Sequence, residues 1–488
     1  MTDLNRREFI RTAGATTGFA IAAGFSPFSY ARNEVVRVAS IGTGGQGSFH
    51  LRDGLARAKN IEVAAVCDIY LPHLEGGWKQ AGGEKKTIAK YTDYRRMLDT
   101  EEIDAVVIST PLNTHHDIVM DCLDAGKHVF CEKTLCYTIE ESRAVVQKTH
   151  ETGLVCQVGH QRRYNPKYNK AKWLAVEKGL IGRIGHITAQ WHRNNDWRRY
   201  VDTSRDLTPE ERRNIPDLER HINWRLYREF SGGLMTELAT HQLDIVQWFL
   251  GVPPRRVFGV GGVDYWRDGR EVSDNIALIY EYDLKPGDAG YQAIKRRSRH
   301  QSRAKVNKPY TVRATYSSFT ANAKRGASEL IQGDRGSFEL TEHECRIYGE
   351  PSIKAEEEYR RKRMSASAAA DAITSGKSLS LPNEAYTDGY PIEVFNEKSV
   401  DQLQFEAFAN DIRTGGTPKA NAMVGLYAAI SGLAGLQAIE RGGQVDIDPA
   451  WYTFDFETPD PNRFEYWEGP EAKPKEKEAQ EEPEETDA

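Results

Sequence analysis

The sequence predicts an α/β protein: a doubly wound parallel sheet at the N-terminus, then an α+β domain with an open, mainly antiparallel sheet. Three observations predict it. Val35 to Ile41 is an apolar run that breaks at once into Gly42-Thr43-Gly44-Gly45-Gln46-Gly47 and then a helical stretch reaching about Lys59. Similar runs follow at Ile61–Cys67, Asp104–Thr110, His128–Cys131 and Gly153–Val158, with helical stretches between them, as in a parallel sheet. After residue 180 the runs alternate apolar and polar instead, at Gly185–Arg193, Arg255–Tyr265, Asn275–Tyr282, Tyr310–Phe319 and Ala327–Leu340, as half-exposed antiparallel strands do.

Taken in order, the chain starts with Arg6-Arg7, a weakly apolar run from Ala13 to Phe25, and Ser29-Tyr30-Ala31. A charged start, a modest apolar run and a small-x-small site read as an export leader; the paired arginines match a twin-arginine (Tat) signal, which carries folded proteins. Cleavage after Ala31 predicts a periplasmic or otherwise exported protein without a stable membrane anchor. The glycine loop comes next. Gly42 permits the tight turn, Gly44 a close backbone approach to a pyrophosphate, and Gly47 close helix–strand packing, with Gly45 and Gln46 opening the helix. Asp68 ends the second strand about twenty residues after the last glycine, placed to accept from a ribose diol. This is a Rossmann-type arrangement. The carboxylate would repel a 2′-phosphate, so NAD is expected as cofactor in preference to NADP. The domains read as 1–31 leader, 32–160 dinucleotide domain, 161–450 substrate domain, and 451–488 an aromatic segment with an acidic tail. The helices of Leu234–Leu250 and Phe405–Ile412 are expected to cover one face of the second sheet. Its open face is expected to make a homo-oligomer.

"TPLNTHHDIVMDCLDAGKHVFCEKT" resembles the signature of the Gfo/Idh/MocA superfamily, the glucose–fructose oxidoreductase and inositol dehydrogenase relatives. The resemblance continues through "VGHQRRYNP", "GRIGHI", "GGLMTELATHQLDIVQWFLG" and "FANDIRTGGTPKANAMVGLYAAISGLAGLQAIERGGQV", most of residues 35–445. It implies that Thr110, Pro111 and His115, with Glu132 and Lys133, close over the nicotinamide. It also implies hydride transfer on a sugar, cyclitol or glycoside. Two departures stand out. The family's Glu-Lys-Pro is Glu132-Lys133-Thr134, and its Asp four residues before the catalytic His is Glu237, before His241. The related NAD-dependent glycosidases typically lose the lysine, so its retention favours an oxidoreductase over that subgroup. A hydrolase or lyase that oxidises its substrate transiently and returns the hydride needs the same hydride site and stands as the alternative. A non-catalytic sugar-binding relative is the third reading, against which Lys133, Glu237 and His241 argue. Without a proline, a cis bond costs about 2.5–4 kcal/mol, so Lys133–Thr134 is expected to be trans.

Chemistry supports the same residues. Oxidising a secondary alcohol needs a base for the hydroxyl proton, and His suits that step. Glu237 and His241, four apart on one helix face, and Lys133 at the carboxyl edge of the sheet are the catalytic candidates, with Asp244 one turn further. For the substrate, the stretches Trp191–Thr203 and His221–Phe230 are dense in Trp, Arg, His and Asn, groups that recognise polyhydroxylated molecules. Arg162, Arg163, Trp191, His192, Arg193 and Trp197 are the substrate candidates, with Asp244. No metal site is expected, because none of the six cysteines forms a CxxC pair; they read as buried free thiols. The net charge of −6 sits largely in the last 18 residues, with eight acids against three lysines, so nothing asks for nucleic acid. The basic cluster Lys295–Lys305 reads as a solvated insert, and Glu356–Gly376 as an exposed helix in another.

Overall fold

The computed structural model describes residues 34–292, 308–350, 389–394 and 396–464. The leader, the Lys295–Lys305 insert, the Glu356–Gly376 helix and the acidic end of the tail lie outside the described residues. The first sheet has six parallel strands: β1 Val36–Ile41, β2 Ile61–Cys67, β3 Ala89–Tyr91, β4 Ala105–Ile108, β5 His128–Cys131 and β6 Cys156–Val158, in the order β3-β2-β1-β4-β5-β6. The order reverses beside β1, so the crevice opens where β1 and β4 end, the usual ligand position in such sheets. Short apolar strands buried on both faces explain why they read as unbroken apolar runs.

Among the described residues the second sheet has nine strands. They are β7 Ile184–His192, β8 Arg256–Gly262, β9 Asn275–Leu284, β10 Tyr310–Phe319, β11 Ala327–Gly333, β12 Gly336–Thr341, β13 Cys345–Gly349, β14 Tyr390–Pro391 and β15 Gln444–Asp446. Their order is β14-β13-β12-β11-β7-β10-β9-β8-β15, antiparallel throughout except for β7 with β10. The expected single run Ala327–Leu340 is thus two strands. Gly333-Asp334-Arg335-Gly336 is the turn between them, a breaker signal inside an alternating stretch. Alternation along β8 and β9 buries Val257, Leu278 and Tyr280 while Phe258, Val260 and Ile279 face outward.

The helices depart from expectation in one respect. Val400–Thr414, the extension of the expected Phe405–Ile412, packs on the first domain and not on the second sheet. Its Phe405, Phe408 and Ile412 join Val38, Leu51, Val107 and Phe130 in one core. An apolar stripe says that a helix face is buried, not which sheet buries it. The Ala422–Arg441 helix instead lies against β8 and the Ile139–Thr152 helix. Gly435 allows this, since a Cβ there would stand 2.3 Å from the Tyr280 hydroxyl. That helix is long and apolar enough to cross a membrane, but most of it is buried inside the fold. All six cysteines are buried and unpaired. From the aromatic segment, Trp451, Tyr452, Phe454 and Phe456 pack on the main core.

Between the sheets lies a buried ionic layer. Arg163 grips Asp244 with Nε 3.0 Å from both carboxylate oxygens and Nη2 2.7 Å from one, and gives Nη1 to the Pro461 carbonyl at 2.7 Å. Arg162 Nη1 reaches Glu329 at 2.6 Å, and the Tyr168 hydroxyl donates to the other oxygen of Glu329 at 2.8 Å. Lys172 donates to the Trp248 carbonyl at 2.6 Å. Arg162, Arg163 and Asp244 are each 2% exposed, so this layer fixes the Thr240–Leu250 helix to the chain leaving the first domain. Removing one partner of a buried pair strands the other's charge, typically at a loss of about 3–5 kcal/mol. Asp244→Ala is therefore expected to lower the midpoint of urea or thermal unfolding markedly; a variant as stable as the parent would contradict this layer's role.

Candidate active site

The glycine loop leaves β1 in the shape a pyrophosphate needs. Gly42 has φ +81°, and a Cβ there would lie 2.7 Å from the Ser109 carbonyl carbon; a Cβ on Gly47 would lie 1.9 Å from the Gly42 oxygen. Only glycine permits that turn and that packing. Asp68 accepts from the Thr43 amide at 2.8 Å and the Tyr70 amide at 2.9 Å, which fixes its carboxylate at the end of β2. A Cβ on Gly44 would meet the His73 ring at 3.3 Å, and one on Gly45 the Arg199 guanidinium at 3.0 Å. The loop thus has bare backbone beneath a cation, which suits a dinucleotide; Gly42 to Gly47 and Asp68 are the residues that would hold it.

Arg199 comes from the segment that follows β7 and crosses the edge of the first sheet. The Leu71 amide donates to Glu211 at 3.0 Å, the Thr92 hydroxyl to Glu210 at 2.7 Å, and Arg205 lies over the Tyr70 ring at 5.3 Å. Burial alone would raise the Glu211 carboxyl, but Arg205, Thr208 and the Leu71 amide hold it down to about 2. Burial, with Arg199 nearby, pushes His73 down to about 4. This segment encloses the crevice from the β2 side.

A cleft of about 440 Å³ runs from the loop between the domains. Gln46, Thr110, His115, Glu132 and Lys133 line it from the first domain; Trp191, Arg193, Trp197, Glu237 and His241 line it from the second. Two hydrogen bonds join the sides: Lys133 Nζ donates to the Glu237 carbonyl at 3.0 Å, and the Thr134 hydroxyl to the Thr236 carbonyl at 2.7 Å. Thr236 and Glu237 sit in a π-helical turn, Met235–Ala239, that opens the expected helix before Thr240–Leu250. The Lys133–Thr134 bond is cis, against expectation. Tertiary contacts that proline could not make surround that bond: the Thr134 hydroxyl donates to the Thr236 carbonyl and lies 3.3 Å from Thr240 Oγ1.

The remaining candidates divide. His115 lines the cleft but its ring is held by backbone, Nδ1 2.9 Å from the Thr134 carbonyl and Nε2 3.1 Å from that of Thr110, so it fastens the turn after Pro111 to the Lys133 loop. Glu237 does not touch His241 as a tautomer-fixing partner would. It accepts from the Ser231 hydroxyl at 3.0 Å and pairs with Arg225 Nε at 3.3 Å. Burial, with Lys133, Arg162, His160 and Arg193 around it, pushes His241 well below the ordinary imidazole range, which favours the neutral ring. Its Nδ1 is buried without a partner. His192 lies outside the lining, its Nε2 3.0 Å from Ser317 Oγ. Arg162, Arg163 and Asp244 belong to the ionic layer beneath. Four-residue spacing put Asp244 on the His241 face but carries no depth, so it could not separate cleft from core.

Sequence reasoning missed His50 and Asp401. His50 Nε2 is 2.6 Å from Glu132 Oε1 and its Nδ1 3.6 Å from Asp401, which comes from the Val400–Thr414 helix. No local motif joins residues so distant in the chain. Arg199, Trp224 and Arg225 also line the cleft, from the two aromatic stretches already singled out. Burial would raise the Glu132 carboxyl, but His50 and Lys133 outweigh it and hold it down to about 2. A depressed carboxyl stabilises the fold above its unfolded pKa, and that contribution is lost as pH falls toward the folded one. The stability gap between the parent and Glu132→Gln is therefore expected to shrink between pH 5 and pH 3 in urea melts; a constant gap would contradict the pairing.

Comparison with known proteins agrees with this fold. Residues 36–160 match the model of the oxidoreductase family's NAD-binding Rossmann fold, and residues 175–447 that of its C-terminal alpha/beta domain. The scyllo-inositol 2-dehydrogenase (NAD(+)) of Bacillus subtilis is 30% identical over 228 residues, 47% of this chain and 58% of that one. An alpha-N-acetylgalactosaminidase of Shewanella oneidensis is 27% identical over 245 residues, 42% and 52%. The chain thus matches little more than half the length of each of these two. Levoglucosan dehydrogenase in complex with NADH and levoglucosan shares the fold over 85% of this chain and 99% of its own, with a TM-score of 0.58 and 18% identity. With both domains matched in order and together spanning most of the sequence, the chain belongs to the GFO/IDH/MocA oxidoreductase family.

Proposed function

We propose that this protein oxidises a secondary alcohol of a sugar, cyclitol or glycoside, with NAD held in the glycine-loop crevice. The observation that carries the reading is the meeting of Lys133, from the end of the first sheet, with Glu237 and His241, from the second domain, on one cleft. Bound NAD supplies the carbon that takes the hydride. Lys133 holds the substrate hydroxyl and the negative charge that develops on it. His241, kept neutral, takes the hydroxyl proton on its ring. Glu237 is a positioning residue that holds Arg225. Asp68 favours NAD over NADP. The dehydrogenase relatives that act on inositol and levoglucosan support the substrate class.

The segment across the crevice supports a retained cofactor. A protein exported folded can carry NAD loaded in the cytoplasm, and a Tat leader at residues 1–31 fits that route to the periplasm. Retention through purification needs a dissociation constant near nanomolar, about −12 kcal/mol. A retained cofactor is restored in place, by a second substrate or by return of the hydride. The second option is the other reading: transient oxidation during glycoside cleavage, favoured by the glycosidase relative. The exposed Phe258, Val260 and Ile279 on the open sheet support a homo-oligomer.

Lys133→Ala and His241→Ala are each expected to lower turnover by roughly 10²–10⁴-fold. Both are expected to keep close to one dinucleotide per chain, quantified after denaturation. Near-normal turnover in either variant would overturn its role. Parent protein purified without dinucleotide and dependent on added micromolar NAD would overturn retention.

A further inference from the structure

Resting on that reading, we propose that Arg193 is an anion subsite and that the substrate is an acidic polyol, bearing a carboxylate or phosphate. Each carboxylate lining the cleft has a basic side chain beside it, with Glu132 and Asp401 sharing one, His50. Glu132 lies 2.6 Å from His50, Asp401 3.6 Å from it, Glu237 3.3 Å from Arg225, and Glu342 3.4 Å from Arg162. The cations are not so matched. Arg193 and Arg199 line the same cleft with no carboxylate in ion-pair range among the described residues. Lys133 also lacks a carboxylate in range among the described residues, but its ammonium is engaged by the Glu237 carbonyl. Arg199 lies against Gly45, where a dinucleotide's pyrophosphate sits.

Arg193 stands elsewhere. Its amide is fixed by the Phe319 carbonyl at 2.9 Å, at the end of β7. Its guanidinium lies 5.4 Å from the Trp191 ring and 5.2 Å from that of Trp197, and Trp191 lies 5.3 Å from His241. The unmatched charge is thus on the proton-transfer side. Ring faces support a guanidinium but accept no hydrogen bonds from its edge, so its N–H donors stay free for a planar or tetrahedral anion. Burial and the neighbouring Arg225 both disfavour this charge, which a bound anion would relieve.

The test is calorimetry on the cofactor-loaded protein. Hexuronates of gluco, galacto and manno configuration are titrated beside the matching neutral hexoses and hexose 6-phosphates. At least one anion is expected to bind about ten- to a hundredfold more tightly than its neutral counterpart. Arg193→Ala is expected to remove that preference with dinucleotide content unchanged, and Arg193→Lys to keep part of it. A preference for uronate or for phosphate identifies the anion. Neutral sugars binding as well as all the acids, no acid binding at all, or a preference that survives Arg193→Ala would overturn the subsite. So would loss of dinucleotide from Arg193→Ala, which would place the residue in the cofactor site. Hydride transfer is read separately as reduced-nicotinamide absorbance: tight acid binding without any change there would defeat the proposed oxidation and leave the subsite standing.

Discussion

Two hydrogen bonds from neighbouring residues decide how the halves of this protein meet. Lys133 and Thr134, just past β5, bond to the carbonyls of Glu237 and Thr236 in the π-helical turn of the second domain. Each such bond contributes only about 0.5–1.5 kcal/mol net. Their weight lies in position. They bring an ammonium from one domain against the helix that carries His241 in the other, and alignment within a fraction of an ångström is what lets catalytic groups act. The ionic layer beneath does the complementary work. Arg163 holds Asp244 one turn past His241, so the helix is fixed at two successive turns.

Charge is arranged with the same economy. Glu132 is held by His50 and by the Lys133 amide, Glu237 by Arg225 and Ser231, so neither carboxylate reaches out to a substrate as a free anion. Burial, with Lys133, Arg162, His160 and Arg193 around it, disfavours charge on His241. A neutral ring ringed by cations does not hold a proton well in the resting state, yet it can receive one transiently while negative charge develops on the oxygen that Lys133 holds. The division of labour thus follows from burial and neighbours rather than from the identity of the two side chains.

Much of the fold was legible because it is written locally. Glycines forced by sterics, apolar runs in a two-faced parallel sheet and alternation in the open sheet each leave a short-range pattern. What was misread depends on partners distant in sequence. The apolar stripe of Phe405 and Phe408 carries no address, so the pattern alone does not say that the first sheet buries it. Asp244 shares a helix face with His241 but sits a layer deeper, and Arg162 and Arg163 look like substrate ligands until Glu329 and Asp244 are found beside them. His50 and Asp401 had no motif at all; they join the site because a helix 350 residues later packs over the first domain. Thr134 shows the reverse case: a local rule for the peptide isomer carries no information about the tertiary contacts its side chain makes.

The enclosing segment belongs to the architecture of the crevice itself. Arg199 over Gly45 and Glu211 on the Leu71 amide place second-domain chain across the crevice that would hold the dinucleotide. The most direct measurement of the central claim is a crystal structure of the protein with its dinucleotide and a bound polyol. The account predicts the pyrophosphate on the glycine loop beneath Arg199. It predicts a substrate carbon about 3–3.5 Å from the hydride-accepting carbon. It also predicts that carbon's oxygen within hydrogen-bond reach of Lys133 and His241. A nicotinamide turned away from Lys133, or a polyol bound outside the cleft between the sheets, would contradict it.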